Sequence, residues 1–133
     1  MNEQSLLLIK PNAVEHHHVG HIISMVEDYG FVLTNIKTFK FTRERAEEFY
    51  EMHRGKEFFE RLVTFMCSGV TIAILLERQE AVSRLRELVG DADPGKRKPD
   101  TIRAMYADGV TENAVHASDS PEAASREISL VFS

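Results

Sequence analysis

The stretch TENAVHASDSP, residues 111–121, sets one imidazole, His116, among small and polar residues. A histidine kept for packing would have apolar neighbours, and a helix cap would more commonly be Ser, Thr, Asp or Asn. Small neighbours leave the ring approachable. A neutral imidazole nitrogen is a competent nucleophile at neutral pH. It can take a phosphoryl group and hand it on, dividing one transfer into two. The competing reading is a solvated loop histidine, the commoner fate of such a residue. Lys10 ends an apolar run beside Pro11 and Asn12, Arg86 lies near the end of a helical segment that also carries Arg84, and Arg103 lies in a long irregular segment. Guanidinium groups grip phosphate oxygens in pairs, and lysine supplies a point charge. The alternative for each is a solvated surface charge, and it is stronger for Arg86 than for Lys10. Neither G-x-x-x-x-G-K-[ST] nor G-x-G-x-x-G occurs. A nucleotide held here is therefore held without those glycine-rich turns.

The elements that must position these side chains follow from periodicity. SLLLIKP is a short apolar run ended by Pro11 and reads as a buried strand. Val19, Ile22, Ile23 and Val26 have helical spacing, and Gly30 closes that helix. FVLTNIKTFKF is β-branched and aromatic and reads as a second strand. Thr42 is placed to cap RERAEEFYEMH, and EFFERLVTFM puts Phe58, Phe59, Leu62, Val63 and Met66 on one helical face. VTIAILLE reads as a fully buried strand. QEAVSRLRELVG reads as a helix with Ala81, Val82, Leu85, Leu88 and Val89 inward and Gly90 at its end. Residues 91–115 hold two prolines, several charges and weak periodicity, and read as a long functional loop. Ser120 and Pro121 open a short helix, PEAASREI, and the terminal ISLVFS reads as a fourth strand. This order predicts an α+β, ferredoxin-like sandwich: a four-stranded antiparallel sheet with helices packed on one face.

Length and composition bound the function. A chain of 133 residues is expected to form a single domain, 1–133, with a real core and no need of disulfides. The net charge of −5 argues against a general electrostatic grip on nucleic acid, though not against a local basic pocket for one nucleotide. The one cysteine, Cys67, excludes an internal disulfide and suits a reducing cytosol. No apolar stretch reaches the length of a membrane span, and the N-terminal run is too short for a signal peptide. The expected location is cytoplasmic.

NAVHASDS resembles the active-site signature of nucleoside diphosphate kinases, N-x-x-H-[GA]-S-D, with Asn113, His116, Ala117, Ser118 and Asp119 at its positions. LLLIKPNAV, GFVLTNIKTFKF, FYEMHRGKEFFERLV, PDTIRAMYA and SREISLVF follow the order and spacing of the same family, so the likeness covers essentially all 133 residues. The resemblance implies a ping-pong transfer of the γ-phosphate from a nucleoside triphosphate to His116 and then to a nucleoside diphosphate, with ATP and GTP among its nucleotides. Residue by residue, it implies that Lys10 binds phosphate near the ribose and that Tyr50 positions the phosphates and the lysine. Phe58 stacks on the base with Leu62 beside it, and low base selectivity follows because a stack reads a π-face. Arg86 and Arg103 bind phosphate, and Asn113 binds the ribose. Glu127 holds the second ring nitrogen of His116, with Ser118 close to the pair. Spacing alone would not bring Glu127 to His116. Mg²⁺ is implied as a cofactor carried by the nucleotide phosphates, with no separate metal site on the chain.

Two positions depart from the family. Many members have Thr where Ala92 stands, and alanine forgoes a hydrogen bond to phosphate worth about 0.5–1.5 kcal/mol. A backbone N–H, Lys96 or Lys98 is left to compensate. Many members also carry a tryptophan near the last element, where Val131 stands here, a packing variation. The run EHHHVGH raises a separate idea: His16, His17, His18 and His21 as ligands for Zn²⁺ or Ni²⁺, with His17 and His21 at helical spacing. A polar turn before the first long helix is the plainer reading, since no Cys or carboxylate cluster completes a site. Two other function classes compete: a non-catalytic nucleotide-binding relative, and a metal-responsive module built on the histidine run. The complete set Lys10, Arg86, Arg103, Asn113, His116 and Glu127 argues against the first. The resemblance also implies a homo-oligomer. The ending shortly after Phe132, without the longer tail of some members, leads us to expect a tetramer rather than a hexamer.

Overall fold

Leu6, Leu7, Leu8 and Ile9 have no exposed surface, because β1 (Glu3–Ile9) lies inside a sheet covered on both faces. In the computed structural model, which describes residues 2–133, the strand order is β2-β3-β1-β4. These are β2 (Val32–Lys40), β3 (Val70–Arg78) and β4 (Val115–Ala117), and every pairing is antiparallel. The period of two divides β1 between two cores. Leu7 and Ile9 join Ile22 and Val26 of α2 (Val19–Asp28) and Leu85 of α5 (Ala81–Val89), with α1 (Pro11–Glu15) and α6 (Ile102–Tyr106) adding Ala13 and Ile102. Leu6 and Leu8 join Phe49 of α3 (Arg43–Phe49), Leu62 and Met66 of α4 (Phe59–Met66) and Val131 of α7 (Pro121–Phe132). The α+β antiparallel architecture is as expected, but helices cover both faces rather than one. The near-continuous apolar runs of β1 and β3 require that second cover.

Local signals fall where expected at several ends. Thr42 Oγ1 accepts the Arg45 N–H at 3.2 Å and Ser120 Oγ accepts the Ala123 N–H at 3.0 Å. Gly90, at φ +88°, ends α5, and a Cβ there would meet Thr101 Oγ1 at 2.6 Å. The five inward residues expected of α5 are its buried ones. Phe58 is the exception in its segment: it precedes α4 and is exposed, while Phe59, Leu62, Val63 and Met66 are buried.

Two expectations are corrected. ISLVFS is not a strand: α7 runs unbroken to Phe132. Ala124, Glu127 and Val131 form its buried stripe, a helical spacing that continues through the apolar tail. The fourth strand is instead the three-residue β4, centred on His116 and paired with β1 so that His116 lies opposite Leu8. The segment 91–115 is not a structureless loop either. It contains a 3₁₀ turn at Pro94–Lys96 and the helix α6 carrying Arg103, and it ends on the first residue of β4. No helix among the described residues is long and apolar enough to cross a membrane.

Candidate active site

His116 sits at the sheet edge with its side chain 19% exposed. Its neighbours in space are not its small neighbours in sequence. Phe49 and Tyr50, from the end of α3, present their rings edge-on at centroid distances of 5.1 and 5.8 Å. Nε2 lies 2.7 Å from Oε1 of Glu127, which α7 brings across from the second core. Ser118 Oγ donates to the same oxygen at 2.8 Å. Burial pushes the Glu127 carboxyl up, but the hydrogen bonds from His116 and Ser118 outweigh it and leave the group below the usual carboxylate range. An ionised carboxylate can only accept, so Nε2 carries the proton and Nδ1 holds the free lone pair. Nδ1 makes no hydrogen bond within the described residues. Burial lowers the His116 pKa against the opposing pull of Glu127, and Lys10 and Arg103 lower it further. The ring is therefore neutral at physiological pH, with the Nδ1 lone pair free of a hydrogen bond.

His116 lines a cleft of about 470 Å³. Of the residues that the sequence and its resemblance single out, Lys10, Tyr50, Phe58, Leu62, Arg86, Ala92, Arg103, Asn113, His116 and Glu127 all line it. Ser118 does not. It is fully buried behind Glu127 and acts through it.

The cations of the cleft are held by neutral groups. Lys10 Nζ, nine-tenths buried or more, donates to Asn113 Oδ1 at 2.9 Å. Burial, reinforced by Arg103 and opposed by Glu112, brings its pKa down to about 7. Arg103 donates to the Gly90 and Val115 carbonyls at 2.9 and 3.0 Å, and its Nε is buried with no partner. Burial, then Arg86 and Arg97, brings its pKa down to about 10. Arg86 donates to the Ala117 carbonyl at 3.2 Å. The two arginines thus brace the carbonyls on either side of His116 while turning positive charge toward the cleft. Tyr50 is buried with an unpartnered hydroxyl, and burial pushes its pKa up, so it remains a neutral donor.

The turn into β4 holds the opposite wall. Ala114 sits at φ +77°, a left-handed conformation that costs a non-glycine residue about 1–3 kcal/mol. Its carbonyl is fixed by the Lys10 N–H at 2.8 Å. Asn113, just before it, donates Nδ2 to the Val110 carbonyl at 2.8 Å while accepting from Lys10. Arg97 gathers the 91–114 segment by donating to the carbonyls of Asp91, Ala92 and Gly109.

Sequence reasoning missed Met52, His53, Val110 and Thr111, which also line the cleft, as do the signature residues Ala117 and Asp119, to which it gave no role. His53 could have been found, since it lies three residues after Tyr50 in FYEMH. Its ring stands 5.1 Å from Phe58 and 6.3 Å from Tyr50, and burial lowers its pKa. Lys96 and Lys98 line not this cleft but an adjoining hollow that shares Arg86, Ala92 and Arg103 with it. The histidine run does not converge. His17 precedes α2 at φ +64° and so shares no helical face with His21. His16 Nδ1 lies 3.1 Å from Asp108, and His18 and His21 stack near Tyr106. Among the described residues no group of three or more side chains is arranged to hold a metal ion.

Comparison with known proteins matches the family model "Nucleoside diphosphate kinase" to residues 3–133. A Staphylothermus marinus nucleoside diphosphate kinase is 47% identical over 130 residues, covering 98% of this chain and 92% of its own. One from Methanocaldococcus jannaschii is 43% identical over 132 residues, covering 99% and 94%. Among solved structures, a crystal form of the Aquifex aeolicus nucleoside diphosphate kinase superposes with a TM-score of 0.96 at 42% identity, covering 100% of this chain and 96% of its own.

Proposed function

Because the chain belongs to the nucleoside diphosphate kinase family and carries that activity, we propose that it works through a phosphohistidine on His116 Nδ1. The observation that carries this reading is the clamp of Nε2 on Glu127 at 2.7 Å, with Nδ1 left without a hydrogen bond on a ring that lines the cleft. Nδ1 attacks the γ-phosphorus of the donor, the bond to the bridging β–γ oxygen breaks, and the nucleoside diphosphate leaves with that electron pair. The Nε2 proton stays on the ring, and Glu127 stabilises the positive charge that the phosphorylated imidazole gains. The acceptor diphosphate then attacks the phosphohistidine, and the same steps run in reverse. The transfer needs positioning and charge more than covalent chemistry from the protein. Lys10, Arg86 and Arg103 supply the charge, the neutral Tyr50 hydroxyl donates a hydrogen bond, and Asn113 meets the ribose. Phe58, exposed at the cleft mouth, stacks on the base with Leu62 beneath it, so base specificity is broad.

Mg²⁺ enters as part of the nucleotide substrate. Such an ion keeps several of its waters and is held mainly by the phosphate oxygens of the substrate. Asp119, exposed in the cleft, is the carboxylate available to its hydration shell. The substrates are nucleoside di- and triphosphates, and the enzyme acts in the cytoplasm as a homo-oligomer. The long edge strand β2, with Val32 and Ile36 exposed, supports strand-to-strand contact between two copies. A dihedral tetramer is then the simplest closed assembly of such dimers.

Single-turnover labelling with γ-labelled ATP and Mg²⁺, without acceptor, tests the mechanism. Label that is acid-labile, base-stable, absent from His116→Ala and released as GTP by a GDP chase is the expected result. Full turnover by a folded His116→Ala would remove the mechanism.

A further inference from the structure

A second cavity, of about 210 Å³, lies between the end of β2, α3 and the last turn of α7. Its walls are apolar: Phe39, Phe41, Phe49, Leu130 and Val131. Its rim is basic. Lys37, Lys40 and Arg45 stand around it against the single carboxylate of Glu48. Lys37 is partly committed, since its Nζ donates to the Val131 carbonyl at 2.9 Å. Lys40 and Arg45 have no carboxylate partner among the described residues, unlike Arg43 beside them, which pairs with Glu47 and Glu60. Apolar walls call for hydrocarbon and the rim for an anion. The volume is below the 300–1,000 Å³ or so of sites for drug-sized ligands, which leaves a small compound with one ring or a short chain.

The cavity shares a wall with the nucleophile. Phe39 packs on Phe41 at 4.8 Å, Phe41 on Phe49 at 5.7 Å, and Phe49 on the His116 ring at 5.1 Å. Phe49 is 1% exposed, so an occupant pressing on it is felt by the imidazole. We propose that this cavity is a regulatory site for a small amphipathic carboxylate, coupled through Phe49 to His116. The coupling rests on the reading of His116 as nucleophile; the binding does not.

The test uses the full chain saturated with ADP and Mg²⁺, so that the nucleotide cleft is filled. Octanoate is titrated while the ring signals of Phe49 and His116 are followed by NMR. The expected result is a saturable shift of both sets. Acetate, which lacks the apolar body, and octyltrimethylammonium, which reverses the charge, should leave them unmoved. The double variant Lys40→Glu, Arg45→Glu, whose side chains lie outside the catalytic cleft, should keep its basal transfer rate and bind octanoate at least tenfold more weakly. Absence of saturable binding, as when a second copy covers the cavity, overturns the proposal. So does binding that the double variant leaves unchanged, or binding that moves Phe49 but not His116. Failure of the labelling experiment above with octanoate binding intact would instead strike the mechanism and spare the site.

Discussion

The cations on the outer surface and those of the cleft live by different rules. Arg43, Arg54, Arg61 and Arg84 each meet carboxylates: Glu47 and Glu60, Glu51, Glu112, and Glu80 with Glu87. All four are well exposed, and such pairs contribute little. Among the described residues, Lys10, Arg86 and Arg103 meet no carboxylate within bonding distance. They are held by an amide oxygen and by backbone carbonyls. Neutral acceptors fix a cation's position without cancelling its charge. The fold therefore accepts a desolvation cost at Lys10 and Arg103, which, on the proposed mechanism, the phosphates of the substrate offset.

That contrast can be broken by mutation. Lys10→Met should lower kcat/KM by about 100-fold or more, the scale of losing one charged donor at a transferring group. It should not lower Tm, because a desolvated ammonium is removed, even though Asn113 Oδ1 loses its donor. A thermal melt showing a large loss of stability would mark Lys10 as structural. Phe58→Ala should weaken binding of adenine, guanine, cytosine and uracil nucleotides alike, by about 1–3 kcal/mol, the usual worth of a base stacked on an aromatic ring. Calorimetric titration with the four diphosphates checks this, and a loss confined to purines would contradict the stacking role. On the outer surface, Arg84→Ala should change stability by less than about 1 kcal/mol despite two carboxylate partners. Urea unfolding that shows more would erase the distinction between the two groups of cations.

The sequence reveals these regions unequally. The outer elements and their caps follow from periodicity and from Thr42, Ser120 and Gly90. The terminal ISLVF did not, because a short apolar run suits a buried strand as well as a helix. The stripe Ala124, Glu127 and Val131 would have decided it, but that stripe passes through a glutamate, which an apolar pattern overlooks. Glu127 is buried because His116 and Ser118 satisfy it, and those partners come from another element. His116 stood out by its small neighbours, yet its surroundings are Phe49 and Tyr50, distant in sequence, and Glu127, eleven residues on in another element. Family likeness brought Glu127 and Arg103 to it where spacing could not. Ala114 in its left-handed turn carried no residue signature at all, since glycine or asparagine would be the usual sign.

The cleft holds its cations on neutral acceptors rather than on carboxylates, and the consequence is sharpest at Lys10, whose buried ammonium gives up its proton readily. With a pKa of about 7 in the free protein, Lys10 is largely neutral at pH 8. Bound phosphates raise that pKa, so binding must take up a proton, and affinity must be full below about pH 7 and weaken as pH rises above it. Calorimetric titration of ADP with Mg²⁺ at pH 8, in two buffers of different ionisation enthalpy, measures this directly. Uptake approaching one proton per cleft is the result the account predicts. Binding with no proton uptake would mean that Lys10 is already charged and compensated, and would contradict it.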